Sequence, residues 1–239
     1  MKEEQTPIAA FPAKGIFKGI FLLVMYLAVF PVLTGLLAAG ASAWMNWEIS
    51  EKAQLLIPYY ASFLLTIVLF KDFLIDNLRV FFFRFGRSLG SMFLSYLLSY
   101  VMTIVVVAVL AAAAGTSDNP NDIAMGLLVE MYDKPMVVIA VFLAPLIEET
   151  LFRGVIFGTI WNKNRFLGYL ISWLLFGAAH LVQYAVMYGD WKIMTLLIEY
   201  LPPSIAWAFC YRRSGSIWAP VFMHMIFNGI GIWALANMT

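Results

Sequence analysis

The feature that most limits this chain is the run from Gly19 to Trp47, which holds no charged side chain. About 20 apolar residues in a helix cross the hydrocarbon core of a bilayer. Every backbone N–H and C=O must find a partner there without water, so only helices and closed barrels can span. The run is far longer than the roughly 7–15 residue apolar core of a signal peptide. Ala41-Ser42-Ala43 imitates a cleavage site, but the segment reads as a retained span. Similar windows give seven expected spans, near Phe17–Trp44, Ala53–Phe70, Leu89–Ala114, Pro135–Ile160, Leu167–Met187, Lys192–Tyr211 and Ser216–Ala236. Of 239 residues, 12% are charged, about half the level of an ordinary soluble domain. The expected fold class is therefore all-α: a polytopic transmembrane bundle of about seven spans, or eight if a segment near Pro202-Pro203 is re-entrant or broken.

The charges orient that bundle. Eleven of the fifteen lysines and arginines (Lys2, Lys14, Lys18, Lys71, Arg79, Arg84, Arg87, Lys163, Arg165, Arg212 and Arg213) fall on one set of loops. The opposite set holds Lys52, Lys134 and Lys192 among seven acids, and Arg153 lies inside a span. By the positive-inside rule the N-terminus is cytoplasmic and the C-terminus outside. Trp44, Trp47, Trp161, Trp191, Trp218 and Trp233 fall near span ends, as an aromatic belt would. Lys71–Arg87 carries Leu74, Leu78, Phe81, Phe82 and Phe85 at helical spacing, which predicts a cytoplasmic helix lying in the interface. Thr116 to Asn121 reads as a polar outer loop. Gly154-x-x-x-Gly158 allows close helix packing. The net charge of +1 and the lack of a basic tract give no case for nucleic acid. Cys210, the single cysteine, excludes an internal disulfide and reads as a small buried residue.

Within this apolar background, Pro145-Leu146-Ile147-Glu148-Glu149-Thr150-Leu151-Phe152-Arg153 stands out. An ionised group at mid-bilayer costs about 2.5–3.5 kcal/mol on insertion scales, so three close together need a use. Glu149 and Arg153, four apart, share a face and can pair. Glu148 points about 100° further round and has no local partner. Pro145 removes a helical donor and is expected to kink or open the helix just before the acids. Residues 1–134 are read as N-terminal spans and the interfacial helix, and 135–239 as the part of one continuous membrane domain that carries the motifs.

Both histidines, His180 and His224, lie inside spans, and Asn228 shares a face with His224. At 1.5 Å per residue, Glu148 and His180 lie roughly 20 Å from the cytoplasmic ends of their spans and His224 roughly 13 Å. Helix tilt covers that difference, so the groups can meet in one cavity. Two mechanisms suit these residue types. In the preferred one, Glu148 and His180 deprotonate a water that attacks a peptide carbonyl, and His224 and Asn228 donate to the developing oxyanion. Glu149 and Arg153 then order the helix, and no cofactor is required. In the other, Glu148, His180 and His224 bind Zn²⁺ with one position open to water. Glu199, in mid-span, reads as a substrate-cavity or proton-handling group, or as a carboxylate neutralised by protonation or pairing.

Glu148-Glu149-x-x-x-Arg153, Phe176-x-x-x-His180 and His224-x-x-x-Asn228, taken in that order, resemble the three motifs of the CPBP family. This family comprises CAAX prenyl proteases and bacteriocin-processing or immunity proteins, also called Abi. The approach Arg213-Ser214-Gly215-Ser216-Ile217-Trp218-Ala219-Pro220 is similar as well. The resemblance covers about Pro135 to the C-terminus and marks 135–239 as the catalytic core. It implies an all-helical membrane core, with Glu148 and His180 activating water and His224 with Asn228 forming the oxyanion site. The leading expectation is an intramembrane endopeptidase cutting a membrane-associated or lipidated peptide or protein, in a bacterial plasma membrane. A non-catalytic membrane regulator, scaffold or immunity protein that retains the motif site is the alternative. A transporter with a proton relay ranks last, because no half-helix repeat is evident.

Overall fold

The computed structural model describes residues 13–114, 119–132 and 134–238. Thr116, Ser117 and Asp118 of the expected outer loop, together with Lys2 and Asp133, lie outside the described residues. The described residues form helices and turns with no strand. Six helices are long and apolar enough to cross a membrane: Gly15–Met45, Glu51–Phe83, Phe85–Ala112, Lys134–Trp161, Arg165–Tyr188 and Trp191–Ser214. The chain is a multi-pass membrane protein with an all-helical bundle. Its outer surface is apolar, with Val32, Leu36, Leu64, Val68, Val101 and Ile104 all exposed, as lipid-facing side chains should be. The seventh expected span coincides with a further helix, Trp218–Met238.

Several of these helices are interrupted without ending. The first comprises α1 (Ala13–Val24), a π-turn (Met25–Val29) and α2 (Phe30–Met45). Leu22 and Thr34 both face inward, yet twelve positions along an ideal α-helix would leave them about 120° apart. The π-turn takes up the extra residue and keeps one face on the bundle. In α3 (Glu51–Phe83) the backbone leaves helical geometry at Phe70. A kink at that point joins two helices, so a helix distinct from the span does begin after Phe70 as expected, but it runs on directly from the span and ends at Phe83. Leu74, Asn77 and Phe81 are buried against protein, whereas Phe82 and Phe85 stay exposed.

That continuation fixes the final helix. Asn77 Oδ1 accepts from the Ile217 N–H at 2.9 Å, and the Ser216 hydroxyl donates to Asn77 O at 2.6 Å. Trp218 Nε1 donates to Leu74 O at 2.8 Å. These bonds hold the turn between α10 (Leu201–Ser214) and α11 (Trp218–Met238), a turn closed by Gly215 at φ 77°. Cys210 is buried in α10, as expected. Along α4 (Phe85–Ala114), Ser88, Ser91, Ser95 and Ser99 are buried, and small residues of this kind let α10 lie close.

A helix that the sequence reading missed, α5 (Pro120–Tyr132), follows the outer loop. Asn119 caps it, its Oδ1 accepting from the Asn121 N–H at 3.0 Å. The fourth span is assembled from α6 (Lys134–Val138), a π-turn (Ile139–Leu143), α7 (Ala144–Glu148), a nine-residue π-helix (Glu149–Phe157) and α8 (Gly158–Trp161). It is the most buried span, with helices packed round it. After α9 (Arg165–Tyr188), the sixth span opens as a 3₁₀-helix (Trp191–Tyr200). Pro202-Pro203 do not break it. They begin α10, where their missing N–H groups cost least.

Candidate active site

Glu148 ends α7 and Glu149 begins the long π-helix. Single π-turns inside helices recur at functional sites because the added residue rotates the next stretch of helix and frees a carbonyl. The opening expected at Pro145 is found one turn earlier. The Ala144 N–H donates to Ile139 O, five residues back. The Ala140 carbonyl thus loses its α-helical donor, and Pro145, which a π-turn would aim at it, has no N–H to offer. The Asn228 side-chain amide fills that place, donating to Ala140 O at 2.8 Å.

Glu149 is wholly buried and tied on one oxygen. Its Oε1 accepts from Arg153 at 3.1 Å, the pairing expected from the spacing, and from His224 Nδ1 at 3.0 Å. Arg153 is also wholly buried, with its guanidinium carbon 4.3 Å from the Phe176 ring centroid and 5.0 Å from that of Trp207. The His224 ring stacks on Trp207 at 3.8 Å between centroids.

Glu148 is the carboxylate left facing the histidines. His180 Nε2 lies 3.9 Å from its Oε1, and His224 Nε2 lies 3.9 Å from its Oε2. Each imidazole is held from behind. His180 Nδ1 is 2.8 Å from Phe176 O; a carbonyl can only accept, so the proton sits on Nδ1 and Nε2 presents a lone pair. His224 Nδ1 donates to the Glu149 carboxylate, so its Nε2 can donate only when the ring is the imidazolium. The structure brings Glu148, Glu149, Arg153, Phe176, His180 and His224 together. It places Asn228 one turn beyond His224 and against the opened helix.

Sequence reasoning missed two groups here. Tyr26, from the first span, donates its hydroxyl to Glu148 Oε1 at 3.3 Å. Trp207 supplies the face under His224. The available signal was depth: both are aromatics with a polar tip in mid-span, away from the interfaces where Trp and Tyr normally gather. Glu199 lies beside the cluster. It accepts from Asn119 Nδ2 at 2.8 Å, and its neighbour Tyr200 packs 5.0 Å from the His180 ring.

The three groups a zinc ion would need do not have its spacing. Two ligands sharing a tetrahedral ion at 2.0–2.1 Å stand roughly 3.3 Å apart, against 3.9 Å from the Glu148 carboxylate to either imidazole. Among the described residues no group of three or more His, Cys, Asp or Glu has metal-holding geometry.

Known proteins share part of this chain. It is 34% identical over 94 residues to a Bacillus subtilis protein named "Putative membrane peptidase YdiL", covering 39% of this chain and 34% of that one. It is 33% identical over 93 residues to an Escherichia coli "Uncharacterized 24.3 kDa protein", covering 38% and 39% respectively. The chain thus spans little more than a third of the length of these curated relatives. No solved structure matches. Residues 130–230, which hold Glu148, Glu149, Arg153, Phe176, His180, Trp207, His224 and Asn228, match the family described as Rce1-like, type II CAAX prenyl endopeptidase, and that is the family this chain resembles.

Proposed function

We propose that the chain is an intramembrane endopeptidase of CAAX-protease type that hydrolyses a peptide bond with a water activated by Glu148 and His180. One observation carries this reading: a buried carboxylate stands 3.9 Å from the Nε2 of each of two histidines whose Nδ1 atoms are already committed. Across 3.9 Å, a water can lie within about 2.8 Å of both Glu148 Oε1 and His180 Nε2.

The charges support the assignment of roles. With His224 as the imidazolium, Glu148 and Glu149 balance Arg153 and His224, and a buried cluster of zero net charge is the least costly to desolvate. The Trp207 face beneath His224 favours the cationic ring. Glu148 takes a proton from the water as its oxygen attacks the carbonyl carbon, so one negative charge passes to the tetrahedral oxyanion. His224 Nε2–H then faces that charge in a dry site, where a donor counts most. One N–H of the Asn228 amide is anchored on Ala140, which leaves the second to donate to the same oxyanion. When the C–N bond breaks, the proton held by Glu148 goes to the leaving amine. No step runs through a metal ion.

The substrate in this reading is a membrane-associated peptide or protein tail, with or without an attached lipid. An apolar groove of about 240 Å³, lined by Ile16, Gly19, Leu23, Leu151, Val155 and Leu175, flanks the same π-helix and suits a hydrocarbon chain. The basic ends of the bundle lie on the cytoplasmic side, with the N-terminus there and the C-terminus outside, in a bacterial plasma membrane.

The test is the purified chain in liposomes with a library of membrane-associated peptides. Glu148→Ala and His180→Ala should each abolish cleavage with the helical fold retained, and a chelator should leave the wild-type rate unaltered. Full cellular phenotype in both variants would instead favour a non-catalytic regulator or immunity protein.

A further inference from the structure

Glu148 lacks a partner on its own helix, since its i+4 neighbour is Phe152. A carboxylate plane turns about a broad, roughly two-fold terminal torsion, so burial does not set which way its two oxygens point. Something outside the helix must do so. Tyr26 meets that requirement from the first span. Its hydroxyl donates to Glu148 Oε1 at 3.3 Å, the same oxygen that faces His180 Nε2 at 3.9 Å. With Oε1 held there, Oε2 is turned to His224.

Three features keep the phenol in place. It lies in the π-turn Met25–Val29, which brings both Leu22 before it and Thr34 after it to the bundle face. The Tyr59 ring meets it edge-on, with centroids 6.1 Å apart and planes at 68°. Gly19, two turns earlier, allows α1 to lie directly on the π-helix, because a Cβ there would overlap the Val155 side chain. The first helix is thereby pressed against the element that carries the acids.

We infer that Tyr26 is a positioning residue of the active site, which locks the Glu148 carboxylate between the two imidazoles. The role rests on the endopeptidase reading for its consequence in catalysis, but the lock itself does not. Tyr26 lies outside the 130–230 stretch that matches the family, so the N-terminal span contributes chemistry to the site as well as membrane anchorage. A loose carboxylate misplaces the water by about an ångström, and such a shift costs on the order of 100-fold.

The experiment uses the full chain in liposomes and compares Tyr26→Phe with wild type and with Tyr60→Phe, a phenol removed from the exposed side of α3. Tyr26→Phe keeps the ring and its contact with Tyr59. It should melt as wild type does, with kcat lower by about 10- to 100-fold and KM within about twofold. A kcat within about twofold of wild type overturns the inference. A second readout needs no substrate: the rate at which dicyclohexylcarbodiimide labels Glu148, followed by mass spectrometry. Freed from Tyr26, Glu148 should label several-fold faster, with Tyr60→Phe unchanged. Equal labelling rates overturn the lock even if the chain cleaves peptides. Faster labelling in a chain that cleaves nothing supports the lock and removes the endopeptidase reading.

Discussion

The hydrogen bond from Asn228 to Ala140 O can be tested independently of any activity. Ala140 is buried, its carbonyl has lost the Ala144 N–H to Ile139, and Pro145 cannot replace it. Asn228→Ala leaves that carbonyl without a donor, a penalty of about 1–3 kcal/mol. In a chain of this size this corresponds to a melting temperature lower by roughly 2–12 °C. Pro145→Ala supplies an N–H five residues after Ala140, where a π-turn aims it. In that background Asn228→Ala should cost less than half as much. Melting of the four proteins in one detergent gives the coupling, expected at about 0.5–3 kcal/mol. Additivity within about 0.5 kcal/mol would refute the reasoning, because it would mean that the proline and the asparagine do not serve the same carbonyl.

Two further outcomes concern charge inside the spans and outside them. Arg153→Met alone should lower stability by about 3–5 kcal/mol by leaving the buried cluster with one uncompensated carboxylate, whereas Glu149→Gln with Arg153→Met should cost less than Arg153→Met, as read by chemical or thermal unfolding. Asp122, in α5 outside the spans, keeps an exposed surface, yet desolvation pushes its carboxyl above the usual range, with the Asn121 hydrogen bond opposing. A raised folded-state value means the ionised form works against folding above the ordinary carboxylate range. Asp122→Asn should therefore melt higher than wild type at pH 7, and the difference should shrink as pH falls; a gap that widens toward acid would contradict this.

Much of the architecture was legible because a bilayer leaves few choices. Uncharged runs such as Gly19 to Trp47 had to become helices, since an unpaired peptide group has no water to turn to. The same cost made Glu148, Glu149, Arg153, His180 and His224 conspicuous before any geometry was known. The Glu149–Arg153 pair needed only the four-residue spacing. Asn119 followed by Pro120 carries the start signal of α5, but the apolar residues after it lack the length of a span and read as part of the loop.

What periodicity could not supply was rotation about each helix axis. A pattern read at 3.6 residues per turn assumes an unbroken α-helix. The π-turns at Met25–Val29 and Ile139–Leu143 and the π-helix Glu149–Phe157 each shift that phase. Sequence alone dictated which segments are helical and which polar groups must be hidden within them, because both are set by the local cost of taking charge and backbone out of water. It took the packed bundle to bring Tyr26 to Glu148, to lay Trp207 under His224 and to let Asn228 answer a carbonyl left open by Pro145. Those choices depend on how far each helix is turned against its neighbours, a quantity set by packing between distant segments and written in no single one of them.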